Sequence, residues 1–333
     1  MSQQVWAGVE VSAKTLLLAW ALEDQRPTLK EFPNTPRGHQ ALTRQLTRQK
    51  HSVRVCLEST GVYGLDLAVA LDAAAGVEVM QANPRAVRRF AEARFQRQKT
   101  DAHDARLLVE FVRRMPFQRW QRPAVSALEL RVISRRIETL KDTMVAEKNR
   151  RHALAATETT PAGILAITDR TISQMEESIA ELRQMARTTI DADPQLARRF
   201  ELLVSVRGIG ERSAITLLGE LAVLAPDLDA RQWAALAGLA PRLCQSGSSV
   251  YRRRGVGHAG NKYLKRALFM PALTAIRFVP ELRDFRDRLI SRGLKHIQAV
   301  VAVMRKLLHI VHALFRDDRA FQLLAPAQRK TAV

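Results

Sequence analysis

The chain has 333 residues, of which 47% are apolar, and this composition excludes a wholly disordered protein and predicts two or three folded domains. Lysine and arginine outnumber aspartate and glutamate by 53 to 33, a net charge of +20 that favours a polyanionic partner, above all nucleic acid, over a merely basic soluble protein. Two cysteines exclude a disulfide framework, and without a signal peptide or a long apolar run we expect a cytoplasmic protein.

The first third of the chain alternates between strand and helix patterns. Its β-rich runs predict strands at residues 5–11, 15–22, 29–32, 53–57 and 77–81, and helical patterns fall at 36–49, at 63–75 and after Asn83-Pro84. Three strands followed by alternating helices and strands are the order of a ribonuclease-H-like sheet with helices packed on it. We therefore predict an α/β domain of this class over residues 1–122.

Two heptad patterns follow. Ile133, Ile137, Leu140 and Met144 recur at coiled-coil spacing, a polar break spans residues 157–163, and a second seam runs from Ile172 to Ala186. We predict a coiled-coil helical hairpin over residues 123–194. It would pair either with another subunit or within its own chain. The remainder, residues 195–333, reads as a helical and basic domain.

Four acidic residues stand at informative places. Glu10 interrupts the apolar first strand, Glu58 follows the strand at 53–57, and Asp101 and Asp104 would share one face of a helix. Each by itself is more often a cap or a solvated charge. Together, converging carboxylates would need a hard divalent cation such as Mg²⁺, which can assist phosphodiester chemistry.

A glycine pair lies between two apolar helical stretches in the last third. Gly208-Ile209-Gly210 has the pattern of a helix-hairpin-helix, whose glycines let backbone N–H groups approach a phosphate. The alternative is a plain connection between helices. Such a motif would position a nucleic-acid backbone without reading its sequence.

A serine-rich segment next to three arginines offers a hydroxyl under positive charge. Ser246 precedes Gly247-Ser248-Ser249, and Arg252, Arg253 and Arg254 follow. Considered alone, residues 240–249 predict a flexible phosphate-binding loop, because serine is a weak nucleophile unless its proton is removed. Downstream, a helix predicted after Gly260 would carry Lys262, Lys265 and Arg266 toward a duplex or simply toward solvent. No pair of histidines has metal-ligand spacing with a further ligand, and His309 and His312 are expected to pack or cap.

These motifs together resemble a known family. The Gly8–Lys14 run, the Leu57–Tyr63 run, Asn83-Pro84 with the Lys99–Ala105 run, the glycine pair and the Ser246–Ser249 run occur in the order found in the insertion-sequence one-ten transposases, which are relatives of the Piv DNA invertases. The resemblance covers nearly the whole chain.

The resemblance implies a RuvC-like domain with four acids on Glu10, Glu58, Asp101 and Asp104, a coiled-coil connector, and a C-terminal transposase domain with its catalytic serine on Ser246. It also implies double-stranded donor and target DNA, a structured bridge RNA as guide, Mg²⁺, and a dimer or tetramer in which the acids of one subunit meet the serine of another. Such a prokaryotic enzyme would act in the cytoplasm, at the nucleoid. A guide-free DNA invertase shares every motif, and a metal-dependent junction nuclease or a non-catalytic binding protein would need fewer of them.

Two positions depart from the family pattern. Glu10 stands where aspartate is usual, and the extra methylene moves the carboxylate by roughly a bond length. His258 stands where lysine is common, which weakens a phosphate contact near neutral pH.

Overall fold

A computed structural model describes residues 3–23, 25–49, 51–58, 63–95, 100–246, 250–254, 256 and 260–323, with only the backbone described at 242–246 and 250–254. The chain divides into two units, Met1–Arg122 and Pro123–Val333. Within the described residues the first unit is α/β and the second is mainly helical, which confirms the two classes predicted from the sequence.

The first unit contains a five-stranded mixed sheet. Its strands are β1 (Gln4–Val11), β2 (Thr15–Leu22), β3 (Thr28–Pro33), β4 (Ser52–Glu58) and β5 (Val77–Ala82). The spatial order is β3-β2-β1-β4-β5, in which β1, β4 and β5 are parallel and β2 runs antiparallel to β1 and β3. All five strands lie where the β-rich runs predicted them, within one or two residues.

Four helices of this unit are α1 (Pro36–Thr47), α2 (Leu65–Asp72), α3 (Pro84–Ala93) and α4 (Asp101–Arg114). Alternate residues of a strand point to opposite faces of the sheet, and β1 follows this rule. Val5, Ala7 and Val9 pack in one core with Leu42 of α1 and Leu67 of α2.

The opposite face of the sheet is covered by α3 and α4. There Trp6 of β1 and Cys56 of β4 join Leu108 and Phe111 of α4 in a second core. By the same alternation, Glu10 and Glu58 belong to the face that α4 covers. The alternation of side chains along the two strands therefore places both acids on the α4 side of the sheet.

The second unit begins with two 31-residue helices, α5 (Val125–Ala155) and α6 (Ala162–Ala192), which pack side by side. Lys148 pairs with Glu176 and Arg151 with Asp169, so the two helices run antiparallel. The remaining described helices are α7 (Pro194–Ser205), α8 (Glu211–Leu221), α9 (Ala230–Leu236), α10 (Lys262–Phe278), α11 (Pro280–Ser291) and α12 (His296–Asp317).

The expectation of a loop at residues 240–249 is wrong in one respect. Residues Arg242–Ser246 form strand β6, which pairs antiparallel with β7 (Val250–Arg254). Leu243, Val250 and Tyr251 are residue types that favour strands, and they flank the Gly-Ser-Ser segment. The serines and arginines of the segment, which favour a loop, obscure this hairpin pattern in the sequence.

Among the described residues, one helix, α12, is long and apolar enough to cross a membrane, although Arg305 and Lys306 interrupt its apolar run. Val303, Leu307 and Val311 of this helix are completely buried in the core of the helical unit. Its apolar face is therefore satisfied by protein packing.

Candidate active site

Two of the predicted acids lie side by side at the carboxyl ends of adjacent parallel strands. Glu10 is the penultimate residue of β1 and Glu58 is the last residue of β4. The register pairs Gly8 with Cys56 and Val9 with Leu57, so Glu10 and Glu58 are at the same level one residue further along. Both residues are half-buried.

The other two acids lie on the first turn of α4. This helix crosses β1 so closely that a Cβ added to Gly8 would lie 2.5 Å from the carbonyl oxygen of Ala105. Farther along, Arg113 donates to the carbonyl oxygen of Leu22, whose strand partner is Val5. The helix thus runs antiparallel to β1, and its N-terminus points toward the end of the strand that carries Glu10.

The start of α4 is fixed by a side-chain cap. The hydroxyl of Thr100 accepts from the backbone N–H of His103 at 3.2 Å, and the Asp104 N–H donates to the Thr100 carbonyl at 2.8 Å. Asp101 and Asp104 occupy the first turn, where a carboxylate is stabilised by the helix dipole. The Thr100 cap, the close approach of α4 at Gly8 and the register of β1 with β4 together bring the four acids to one end of the sheet.

The four acids do not form a complete set of metal ligands in this structure. Among the residues that the structure describes, which include all four acids, no three His, Cys, Asp or Glu side chains lie close enough together to hold a metal ion. The donor set itself consists of hard carboxylate oxygens, the ligands that Mg²⁺ and Ca²⁺ prefer. Part of this region, the Ser59–Val62 run and Lys99, lies outside the described residues.

The predicted nucleophile belongs to the second unit. Ser246 is the last residue of β6, where its backbone pairs with that of Val250. The side chains of Ser246, Arg252, Arg253 and Arg254 lie outside what the structure describes, as do Gly247-Ser248-Ser249 and His258.

The glycine pair separates α7 from α8, and its two members differ in surroundings. A Cβ added to Gly208 would lie 2.8 Å from backbone atoms of Pro271 and Ala275 in α10, and its φ of 118° also requires glycine. Gly208 therefore serves the packing of helices. A Cβ on Gly210 would meet nothing within 4 Å, so its backbone and the N-terminus of α8 remain accessible.

The predicted basic residues of α10 are not equivalent. Arg266 pairs with Asp142 of α5 at 2.6 Å, and hydrogen bonding to this carboxylate raises the pKa of the guanidinium. Lys262 is exposed and lies 5.1 Å from the ring of Tyr263. Lys262 and the half-buried Lys265 line a groove between α10 and α12 with Arg266.

His309 and His312 of α12 pack as expected. His312 lies 2.9 Å from the carbonyl oxygen of Leu228 and meets the ring of Trp233 edge-on at 4.9 Å. Burial, followed by the nearby arginine and lysine charges, lowers the pKa of His309.

A buried ionic cluster escaped the sequence analysis. Glu220 of α8 is fully buried and binds Arg135 of α5 and Asn261, which precedes α10. A charge inside the apolar run Ala214–Leu221 was the available signal, but its partners are 85 and 41 residues away. No local pattern shows such contacts.

Comparison with known proteins agrees with these motifs. A family described as transposase, of the IS110 DEDD type, matches residues 7–158, and the transposase family IS116/IS110/IS902 matches residues 200–287. The chain is 30% identical over 295 residues to the pilin gene-inverting protein of Moraxella bovis, covering 87% of this chain and 89% of that protein, with the same figures for the protein of that name from Moraxella lacunata. It is 29% identical over 165 residues to an uncharacterized 43.6 kDa protein of insertion element IS110 from Streptomyces coelicolor, covering 50% of this chain and 40% of that protein.

The Moraxella relatives span both units, and the family matches include all four acids and Ser246. The chain is a DNA recombinase and belongs to the IS110, or insertion-sequence one-ten, family of transposases.

Proposed function

We propose that this transposase cuts and rejoins DNA by transesterification at Ser246, assisted by Glu10, Glu58, Asp101 and Asp104. The acids would belong to a ribonuclease-H-like, RuvC-like domain at residues 1–122. A coiled-coil hairpin at 123–194 and a transposase domain with a helix-hairpin-helix at 195–333 would complete the chain. The strand order β3-β2-β1-β4-β5 with an antiparallel β2 supports the assignment of the first domain.

The observation that carries the proposal is the crossing of α4 over Gly8. Because Gly8 has no side chain, the helix backbone approaches β1, and its first turn extends toward the strand end with Glu10. A structural cap or solvated charge would not require two strand ends and one helix start to converge. This convergence favours catalysis over a binding-only role.

The four carboxylates fit a hard divalent cation in their chemistry and share one end of the sheet, although no three of them lie close enough together in this structure to hold the ion. Glu10, Glu58, Asp101 and Asp104 would hold it. When bound, Mg²⁺ would neutralise developing charge on a phosphodiester and activate an oxygen nucleophile. The longer side chain of Glu10 retains the charge that this role needs.

The proposed covalent step is a transesterification at one DNA phosphodiester. The Ser246 hydroxyl attacks a DNA phosphorus, a serine–phosphate ester bond forms, and the bond to one sugar oxygen breaks. The serine proton ends on the departing sugar hydroxyl. Strand exchange is the same reaction in reverse with the hydroxyl of another DNA end, so no oxidant or external energy source is needed.

Binding of double-stranded DNA is supported by the net charge of +20 and by the open N-terminus of α8 at Gly210. Lys262 and Lys265 on α10, with Arg252, Arg253 and Arg254 on β7, would add phosphate contacts. The acids and the serine lie in different units of the chain. A dimer or tetramer in which the acids of one subunit meet the serine of another is part of the proposal.

The test is covalent capture of DNA. On denaturing gels, wild-type protein with a nicked substrate and Mg²⁺ should give a protein–DNA adduct, and Ser246→Ala should lower adduct formation by about a thousandfold or more. Asp101→Asn should lower it comparably, whereas the matched control Glu31→Gln, an exposed acid of edge strand β3, should not. Adduct formation by Ser246→Ala would refute the serine assignment, and DNA cleavage that ignores Ser246 would indicate a junction nuclease.

Guidance by a structured bridge RNA is the remaining element of the proposal. A guide-free DNA invertase is the second candidate, and the Moraxella relatives, named for gene inversion, favour inversion as the reaction. Sequencing of RNA that co-purifies with the protein separates the two. A single discrete structured transcript supports a guide. Recovery of only heterogeneous cellular RNA supports the invertase.

A further inference from the structure

The hairpin that contains Ser246 is closed at its base by direct contacts between its flanking residues. Before the hairpin stands Gly238, and after it stands Gly260, where an added Cβ would lie 2.4 Å from the Gly238 nitrogen. The next residue, Asn261, donates its backbone N–H to the carbonyl oxygen of Leu236 at 2.7 Å. These contacts hold Gly260 and Asn261, which follow the hairpin, against the segment from Leu236 to Gly238 that precedes it.

Asn261 is itself held by two kinds of hydrogen bond. Its side-chain oxygen caps α10 by accepting from the N–H groups of Tyr263 and Leu264, at 2.9 and 3.2 Å. Its side-chain nitrogen donates to Glu220 at 2.6 Å. One amide thus joins the start of α10 to a buried carboxylate on α8.

Glu220 is in turn held by α5. Arg135 donates to both carboxylate oxygens, at 2.6 and 3.0 Å, and Arg131 lies 3.6 Å away. Burial alone would raise the pKa of Glu220, but the hydrogen bonds from Arg135 and Asn261 outweigh it, and the pKa is lowered. The carboxylate is therefore ionised near neutral pH.

Close packing brings these groups together. The Cβ that Gly219 lacks would lie 2.5 Å from the Ser134 hydroxyl, so α8 and α5 touch at the residues next to Glu220 and Arg135. Arg135 also stacks on the ring of Tyr263, in the first turn of α10, at 4.8 Å. An apolar cluster would fill this space as stably, whereas bidentate and amide hydrogen bonds fix direction as well as distance.

We propose that Arg135, Glu220 and Asn261 form a positioning relay, which fixes the base of the β6–β7 hairpin, and with it Ser246, relative to the long helix α5. The role proposed for these three residues is positioning, distinct from the catalytic roles proposed for Ser246 and the four acids. The inference that the relay serves the reaction rests on the proposed role of Ser246. Its structural part, control of the hairpin base, does not.

Asn261→Asp tests the relay with little change of shape. Aspartate still caps α10, but it cannot donate to Glu220 and places two carboxylates together. The additional change Glu220→Gln in the same chain supplies a donor again, with the polarity of the hydrogen bond reversed and the net charge of the pair restored.

The measurements are hydrogen exchange of the backbone amides at 242–246 and 250–254, DNA affinity, and the rate of adduct formation. We expect Asn261→Asp to speed exchange and slow adduct formation by about tenfold each, equivalent to about 1.4 kcal/mol, with unchanged affinity. The double variant should recover part of both, because the new amide restores a hydrogen bond between positions 220 and 261 but offers Arg135 one acceptor oxygen instead of two. Asp229→Asn, a cap exchange on α9 in the same unit, is the matched control and should leave hairpin exchange unchanged.

Unchanged hairpin exchange in Asn261→Asp, or failure of a folded double variant to recover, would overturn the relay. If the double variant does not fold, Arg135→Lys decides, because it keeps the charge and loses the bidentate contact. It should speed hairpin exchange, and unchanged exchange would again refute the relay. A serine assignment refuted by Ser246→Ala would leave the exchange result standing, so the two failures are distinguishable.

Discussion

A Cβ added to Gly8 would lie 2.5 Å from the carbonyl oxygen of Ala105, so the crossing of α4 over β1 leaves no room for a side chain at Gly8. We predict that Gly8→Ala forces the helix away from the strand, lowers the free energy of unfolding by about 1–3 kcal/mol and reduces adduct formation. Urea denaturation and the adduct assay measure the two effects. Gly64→Ala, where the added Cβ would sit 3.7 Å from Val11, is the control for stability. Equal stability of both variants would contradict the close crossing.

Phosphate contacts on α10 are distinguishable by their salt dependence. A lysine that neutralises one duplex phosphate contributes about 0.9 to the log–log slope of affinity against salt. We expect Lys262→Ala to lower the slope by about that amount. Arg266→Ala should lower it less, because Asp142 already binds that guanidinium. Fluorescence anisotropy at several salt concentrations gives the slopes, and a larger effect for Arg266 would reverse the assignment.

The stability of the helical unit should depend on the ionisation of Glu220. Its pKa is lowered below the ordinary 4.5 on folding, so the ionised form stabilises the fold at pH above that value, and the contribution is lost as pH falls toward the lower, folded pKa. Glu220→Gln should be less stable at pH 7, by about 1–3 kcal/mol, and should lose less stability on acidification.

Thermal unfolding between pH 7 and pH 3 measures this difference. Asp169→Asn removes an exposed acid whose pKa is likewise lowered, by Arg151, and is expected to change stability little because solvent screens that pair. Parallel pH profiles for wild type and Glu220→Gln would show that Glu220 does not contribute.

Cys56 lies in the core beneath α4, and its burial raises the pKa of the thiol to about 12. At pH 8 only about one thiol in ten thousand would be thiolate, and the sulfur is inaccessible as well. In a Cys244→Ser background we therefore expect no alkylation by iodoacetamide until the protein is unfolded. Rapid labelling of the native protein would show that this core opens.

Much of the fold follows from local sequence. The runs at β1, β2 and β4 predict strands because they consist of β-branched and apolar residues. The start of α4 is likewise predicted by Thr100 and the two aspartates in the first turn. The acids were also visible, because a charge such as Glu10 is costly inside an apolar strand without a partner. The strand parity and order that bring these acids to one end follow once the sheet is assumed.

Other features depend on residues far apart in the chain. In the sequence, Gly208 indicates a turn. In the structure, its lack of a side chain also lets the backbone of α10 pack closely against it at Pro271 and Ala275. The β6–β7 pairing was hidden by the serines and arginines that suggest a loop. In the sequence, Glu220 is a single charge in an apolar helix, and no local pattern shows its partners.

The sequence by itself determined the basic character and the α/β and helical parts, since composition and periodicity are local properties, and its motifs nominated the candidate acids and serine through a family resemblance. Only the tertiary structure decided which glycine admits a helix, which arginine is already paired, and how Arg135, Glu220 and Asn261 meet. Those outcomes depend on the packing of helices over long sequence separations, and no local pattern encodes the distance between two helix backbones.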